Sequence, residues 1–269
     1  MLGNNHPVGI FDSGVGGLTV VKAFLEQLPQ EDLIYFGDTA HVPYGNKSEA
    51  QLMQYAHDIM DYFMERKVKA VLVACGTHSS VTLPRIQAEY PIPMVGMVRA
   101  AARAACRITS GKRVGVLATQ ATVNSHAYRK AIQDIMPDCH VFEAACPLFV
   151  PLVEAGILTG EEPIAAAKQY LEPLLREDID TLVLGCTHYP FLQDILTDLI
   201  GEVTLLDPAI EAVKEMKAIL TGHDLLNQAA HQSRAEFLVS GDNTSFYRVG
   251  TKLLGKVINE VKSVTLTHC

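Results

Sequence analysis

Two thiols occupy matching places in the sequence. Residues 71–80, VLVACGTHSS, run from apolar side chains into Cys75, a glycine, a hydroxyl and an imidazole. The pattern returns in residues 182–190, LVLGCTHYP, around Cys186. Short apolar runs bounded by turn signals read as buried parallel strands, and ligands in open α/β sheets sit beyond the carboxyl ends of such strands. Each thiol therefore falls where a site belongs, and only folding can bring them together. Inert burial is one reading, and it is the one taken for Cys106, Cys139, Cys146 and Cys269. Zinc is another, with Cys75, His78, Cys186 and His188 as an S₂N₂ set, although structural zinc favours closely spaced cysteine pairs. A Cys–His nucleophile for acyl transfer would use only one thiol. Two mirrored thiols fit stereoinversion: one group takes a proton from one face of a carbon and the other delivers a proton to the opposite face. An ordinary thiol, with a pKa of about 8.5, serves as the acid, and its twin serves as the base once a helix start (at Thr77 or Pro190) or His188 favours the thiolate.

The elements that must hold these groups alternate. Val8–Phe11 reads as a strand entering DSGVGGLT, residues 12–19. That turn is no dinucleotide fingerprint, because Thr19 stands where the third glycine belongs, and it lacks the lysine of a Walker loop. It is either a tight strand-to-helix turn or a loop placing Asp12 and Ser13 at a site, the carboxylate relaying a proton or holding an imidazole. A strand at 33–36 leads into the loop GDTAHVPYG, with Asp38, Pro43, Tyr44 and Gly45. Residues 47–66 form an amphipathic helix with Leu52, Tyr55, Ile59 and Phe63 on one face. Further strands fall at 70–74, 92–96, 113–117, 140–144, 182–185, 203–206 and 237–240, and a helix completes the chain. This order predicts an α/β fold of two similar domains with mainly parallel sheets, right-handed crossovers and an active site in the cleft between them.

Composition narrows the partners. With 22 basic and 30 acidic residues in 269, the net charge of −8 speaks against nucleic acid or an anionic membrane surface. An anionic substrate would need local positive potential, which helix N-termini supply. No signal peptide or run of about 18 apolar residues is visible, and six cysteines without CxxC suit a reduced, cytoplasmic setting.

Six collinear segments also carry a resemblance: DSGVGGLT (12–19), FGDTAHVPYG (36–45), the Cys75 segment, ATQATVNS (118–125), CPLFVPLVE (146–154) and LGCTHYP (184–190). Together they closely resemble glutamate racemases. The resemblance implies interconversion of L- and D-glutamate without pyridoxal phosphate, metal or other cofactor, supply of D-glutamate for peptidoglycan, and a homodimer. It implies a first domain of residues 1–97 plus 208–269 and a second of 98–207. It makes Cys75 the acid/base for the D-isomer and Cys186 that for the L-isomer, with Asp12, Glu154 and His188 assisting. Ser13, Gly76, Thr77 and Thr187 then bind the substrate's amino and carboxylate groups, helped by Asp38 and Pro43-Tyr44-Gly45, with Thr119 and Thr122 nearby. The chain departs from the family after the first thiol, where Gly76-Thr77-His78 replaces Asn-Thr-Ala/Ser. Losing the Asn donor to a charged ligand costs about 1.5–3 kcal/mol, unless His78 replaces it; His78 otherwise faces solvent from a first helical turn. The alternatives are a racemase for another amino acid, such as aspartate, and a binding homologue without catalysis.

Overall fold

Among the residues described by the computed structural model, 4–228 and 233–266, ten strands form two sheets. Cys269 lies outside the described residues. The apolar runs become strands β1 (Val8–Asp12), β2 (Leu33–Gly37), β3 (Ala70–Val73), β4 (Met94–Gly96), β5 (Arg113–Ala118), β6 (His140–Ala145), β7 (Thr181–Leu184), β8 (Thr204–Leu206), β9 (Ala235–Val239) and β10 (Val261–Ser263). Every residue of β1, β2, β3 and β7 is buried, which is why these segments lack an apolar–polar alternation.

The larger sheet has the order β10-β9-β2-β1-β3-β4 and the smaller β6-β5-β7-β8. All pairings are parallel. The order β2-β1-β3-β4 recurs as β6-β5-β7-β8, so the two halves repeat one topology. Cys75 follows the third strand of one half and Cys186 the third strand of the other. Strand β10 was not anticipated from sequence. Val261-Lys262-Ser263 offers one apolar residue and a lysine, a composition suited to a short edge strand and invisible to periodicity.

The helix Glu49–Glu65 starts at Ser48, whose hydroxyl accepts the Gln51 N–H while the Gln51 side chain accepts the Ser48 N–H. Its face of Leu52, Ala56, Ile59, Met60 and Phe63 is buried. Tyr55, expected on that face, is half-buried and stacks on His41 with centroids 4.0 Å apart. The segments that lead from one half to the other are zipped together: helices Met97–Ile108 and Ala209–Gly222 pair through Arg103–Glu215 and Arg107–Glu211. At the opposite ends of the strands, Lys69 and Glu31 form a fully buried ion pair at 2.6 Å, and Glu31 also accepts the Asn227 backbone N–H at 2.6 Å. Among the described residues no helix is long and apolar enough to cross a membrane.

Candidate active site

The central strands of the two sheets aim their carboxyl ends at one seam. Asp12 ends β1, Cys75 lies just past β3, Thr119 follows β5, and Cys186 lies just past β7. Both thiols are buried. Across the seam the Thr187 hydroxyl donates to Asp12 Oδ2 at 2.9 Å. Cys186 Sγ is 3.7 Å from His188 Nδ1, and the other ring nitrogen of His188 lies 2.6 Å from Glu154 Oε1. That oxygen also accepts the Val15 N–H at 3.2 Å, so the glycine-rich turn helps to hold the Glu154 carboxylate.

The two thiols have different surroundings. Burial pushes the Cys75 thiol well up, and the nearby Asp12 charge adds to this, while the His78 backbone N–H in the first turn of helix Gly76–Val81 opposes it. Cys75 is thus held as a thiol. Burial also raises Asp12, against the lowering effects of His188, the Ser13 N–H, Thr187 and Cys75. Asp12 Oδ1 is buried without a hydrogen-bond partner among the described residues. For His188, burial disfavours the charged ring, but its bonds to Cys186 and Glu154 and their charge outweigh it, holding the imidazole well above its ordinary value. The expected helix start at Pro190 is a short 3₁₀ turn, Tyr189–Leu192, so His188 is the group beside Cys186 that brings positive charge.

Hydroxyls line the seam. Thr77 and Thr119 are 2.9 Å apart, Thr119 and Thr122 3.0 Å, and Ser80 donates to Thr122 at 3.2 Å. Thr119 also caps the helix Gln120–Ser125. The loop after β2 closes one side: the Asp38 N–H donates to the Asp12 carbonyl, and Gly45 packs on Thr119. Both Asp38 carboxylate oxygens are occupied, by His41, by Ser240 and by the Tyr44 hydroxyl at 2.5 Å, so Asp38 anchors Tyr44. Ser13, in the turn after β1, is buried, and Pro43, next to Tyr44 in the loop after β2, is half-buried.

The arrangement thus sets two buried thiols at one seam, Cys75 near Asp12 and Cys186 beside His188. Residues 13–216 match the Asp/Glu/Hydantoin racemase family. A glutamate racemase of Geobacter metallireducens is 45% identical over 260 residues, covering 96% of both chains. The glutamate racemase of Francisella tularensis, solved in complex with D-glutamate, superposes with a TM-score of 0.90 at 35% identity, covering 98% of both chains. A glutamate racemase isoform of Bacillus anthracis gives a TM-score of 0.94 at 34% identity, again over 98% of both.

The chain belongs to the Asp/Glu/hydantoin racemase family. It is an amino-acid racemase, an isomerase, with the α/β fold of parallel sheets expected from its sequence. Membership explains the glycine-rich turn without phosphate chemistry. A Cβ on Gly16 would sit 2.5 Å from the Thr187 hydroxyl and collide with the His188 ring, so the turn is bare because the second half of the racemase packs on it.

His78 does not face solvent, and its Nε2 is buried without a hydrogen-bond partner among the described residues. Its ring is fully buried, with Nδ1 2.9 Å from the Thr82 hydroxyl, and it packs edge-on against Tyr44 at 4.6 Å and Phe11 at 5.3 Å. Burial pushes it down to about 3, so it is neutral. Among the described residues no three of His, Cys, Asp and Glu are placed to hold a metal ion. Sequence reasoning missed Ser80, Ser240 and Tyr35. The helical spacing of Ser80 from Thr77 was available as a signal. Ser240 reaches Asp38 from far along the chain, and the Tyr35 hydroxyl supports the glycine turn by donating to the Gly14 carbonyl at 2.6 Å, which no local pattern reveals.

Proposed function

We propose that this racemase interconverts L- and D-glutamate, with Cys75 and Cys186 as the two proton-transfer groups and no cofactor, and that it supplies D-glutamate for peptidoglycan. The observation that carries the reading is the placement of two buried thiols at equivalent strand ends of the two repeated halves, each with its own proton partner.

With L-glutamate bound, Cys186 as thiolate removes the α-proton, and the His188 imidazolium, braced by Glu154, balances the charge on sulfur. Cys75, held as a thiol, delivers its proton to the opposite face. In the reverse direction Asp12, beside Cys75, favours removal of the proton from D-glutamate. Hydroxyls of Ser13, Thr77, Thr119 and Thr187 and the N-terminal turn at residue 76 supply donors to the substrate carboxylates, with Tyr44 on the loop anchored by Asp38. Several of these hydroxyls now bond to one another across the seam. Entry of substrate therefore exchanges protein–protein hydrogen bonds for protein–substrate ones, and reclosure excludes water from the carbanion-like transition state.

The test is incubation of metal-free wild-type protein with L- and D-glutamate, and with L- and D-aspartate, in D₂O, following optical rotation and Cα deuteration. Inversion of glutamate with one deuterium gained at Cα is expected. Turnover of aspartate alone would reassign the substrate, and glutamate binding without exchange would make the chain a binding protein.

A further inference from the structure

The two thiol-bearing segments touch through bare backbone. Gly76 follows Cys75 and Gly185 precedes Cys186. A Cβ on Gly76 would overlap the Gly185 carbonyl oxygen, and it would lie 3.1 Å from that carbonyl carbon and 3.5 Å from the Cα of Cys186. All three are main-chain atoms, which cannot swing aside as a side-chain tip can.

Neither partner has room to retreat. The Gly185 N–H donates to the Leu117 carbonyl at 2.7 Å, extending the β5–β7 pairing by one residue. Behind Gly185 stand the Ala118 Cβ and the buried Tyr128 ring, each of which a Cβ on Gly185 itself would meet at 3.1 Å. On the other side Gly76 opens the helix Gly76–Val81. Its carbonyl accepts the Ser80 hydroxyl at 2.9 Å, and the Ser79 hydroxyl clamps that helix to the Val73 carbonyl and the Met97 N–H. A side chain at residue 76 must therefore part the two halves at the point where they carry the sulfurs.

We infer that Gly76 is a positioning residue: its missing side chain lets the two strand ends meet backbone to backbone and so sets the separation of Cys75 and Cys186. The Asn that the family resemblance leads one to expect here is excluded from the closed seam by its Cβ, before its amide is considered. The inference rests on the two-thiol reading of the site. It also specifies what the chain does with the departure: amide contact with the substrate is exchanged for a tighter approach of the halves.

The test compares Gly76→Ala, Gly76→Ser and Gly76→Asn with wild type, each checked for folding by thermal melting. Misplacing reacting groups by about 1 Å costs on the order of 100-fold in rate. The expected result is a fall in kcat of tenfold or more in both directions, with KM changed far less, and with similar losses for Ala and Asn because both share the offending Cβ. Bridging of Cys75 to Cys186 by bifunctional thiol reagents of graded span, located by peptide mass, should shift towards longer reagents in the Ala variant. Wild-type kcat in the Ala variant, an Asn variant clearly faster than Ala, an unchanged cross-linking profile, or an Ala variant that fails to fold would each overturn the inference, since parting the seam leaves both sheets intact. If wild-type protein neither inverts glutamate nor exchanges its α-proton, the two-thiol reading itself falls, which is a different outcome.

Discussion

The Thr187 hydroxyl donates to Asp12 Oδ2 at 2.9 Å, joining a residue beside Cys186 to one beside Cys75. One oxygen of a buried carboxylate is thereby held across the seam, and the other is left without a partner among the described residues, in the neighbourhood of the Cys75 thiol. Such a group serves function at the expense of stability, because burial disfavours its charged form.

Asp12→Asn separates the two effects. The folded-state pKa of Asp12 lies above its unfolded value of 3.8, so between these values the folded chain binds the proton more tightly. Stability from this group is present at low pH and is lost as pH rises through that interval. The Asn variant should therefore be at least as stable as wild type at pH 7–8 in a urea titration. Its turnover should fall about 100-fold, most severely from D- to L-glutamate. A clearly destabilised variant with near-normal turnover would contradict the assignment.

Glu154→Gln addresses the other thiol. Glu154 Oε1 lies 2.6 Å from the His188 ring and accepts a backbone N–H from the glycine turn. Removing its charge lowers the His188 pKa and weakens the imidazolium beside Cys186. Turnover of L-glutamate should drop by roughly 10- to 100-fold, with a smaller loss from the D side, and the basic limb of the pH–rate profile should move to lower pH. Equal losses in both directions with an unmoved profile would mean that Glu154 acts only by packing.

His78 gives an acid-stability prediction that is separate from catalysis. Burial lowers its pKa from 6.5 to about 3, so between these values the unfolded chain is protonated and the folded chain is not. Stability from this residue is lost as pH falls from about 6.5 towards 3, at roughly 1.4 kcal/mol per pH unit. His78→Phe keeps an aromatic ring against Tyr44 and Phe11 and removes the titration. Its stability should decline less steeply than wild type between pH 6.5 and 4, which urea midpoints at several pH values will show.

Lys69 and Glu31 test the far end of the larger sheet. Both groups are buried and form an ion pair at 2.6 Å. Lys69→Met strands a buried carboxylate and should cost about 3–5 kcal/mol. Lys69→Met with Glu31→Gln should recover part of this, since the Gln amide oxygen can still accept the Asn227 N–H. Thermal denaturation of the single and double variants checks it.

What sequence reading reached, and what it missed, follows from locality. The thiols, Asp12 and Thr119 each sit within two residues of a buried apolar run, and His188 lies two residues beyond Cys186, so strand ends marked them in advance. The repeated order β2-β1-β3-β4 and β6-β5-β7-β8 likewise follows from alternating elements, although only the structure shows that the repeat is of topology. The short edge strand β10 carries too few apolar residues to announce itself. The inward turn of His78 depends on the phase of a six-residue helix against Phe11 and Tyr44, which residue types do not encode. The hydrogen bond that Asp38 accepts from Ser240, just past β9, joins residues far apart in the chain and is not visible in local sequence. The meaning of Gly76 appears only when Gly185 is seen against it.

The central claim is that two thiols divide one proton-transfer reaction between opposite faces. The most direct measurement is Cα deuterium incorporation in D₂O for Cys75→Ser and Cys186→Ser, each given L- and D-glutamate separately. The account predicts that either substitution abolishes inversion, that both variants melt as wild type does, and that any residual exchange is confined to D-glutamate when Cys186 is lost and to L-glutamate when Cys75 is lost. Inversion at an undiminished rate in either variant would contradict it.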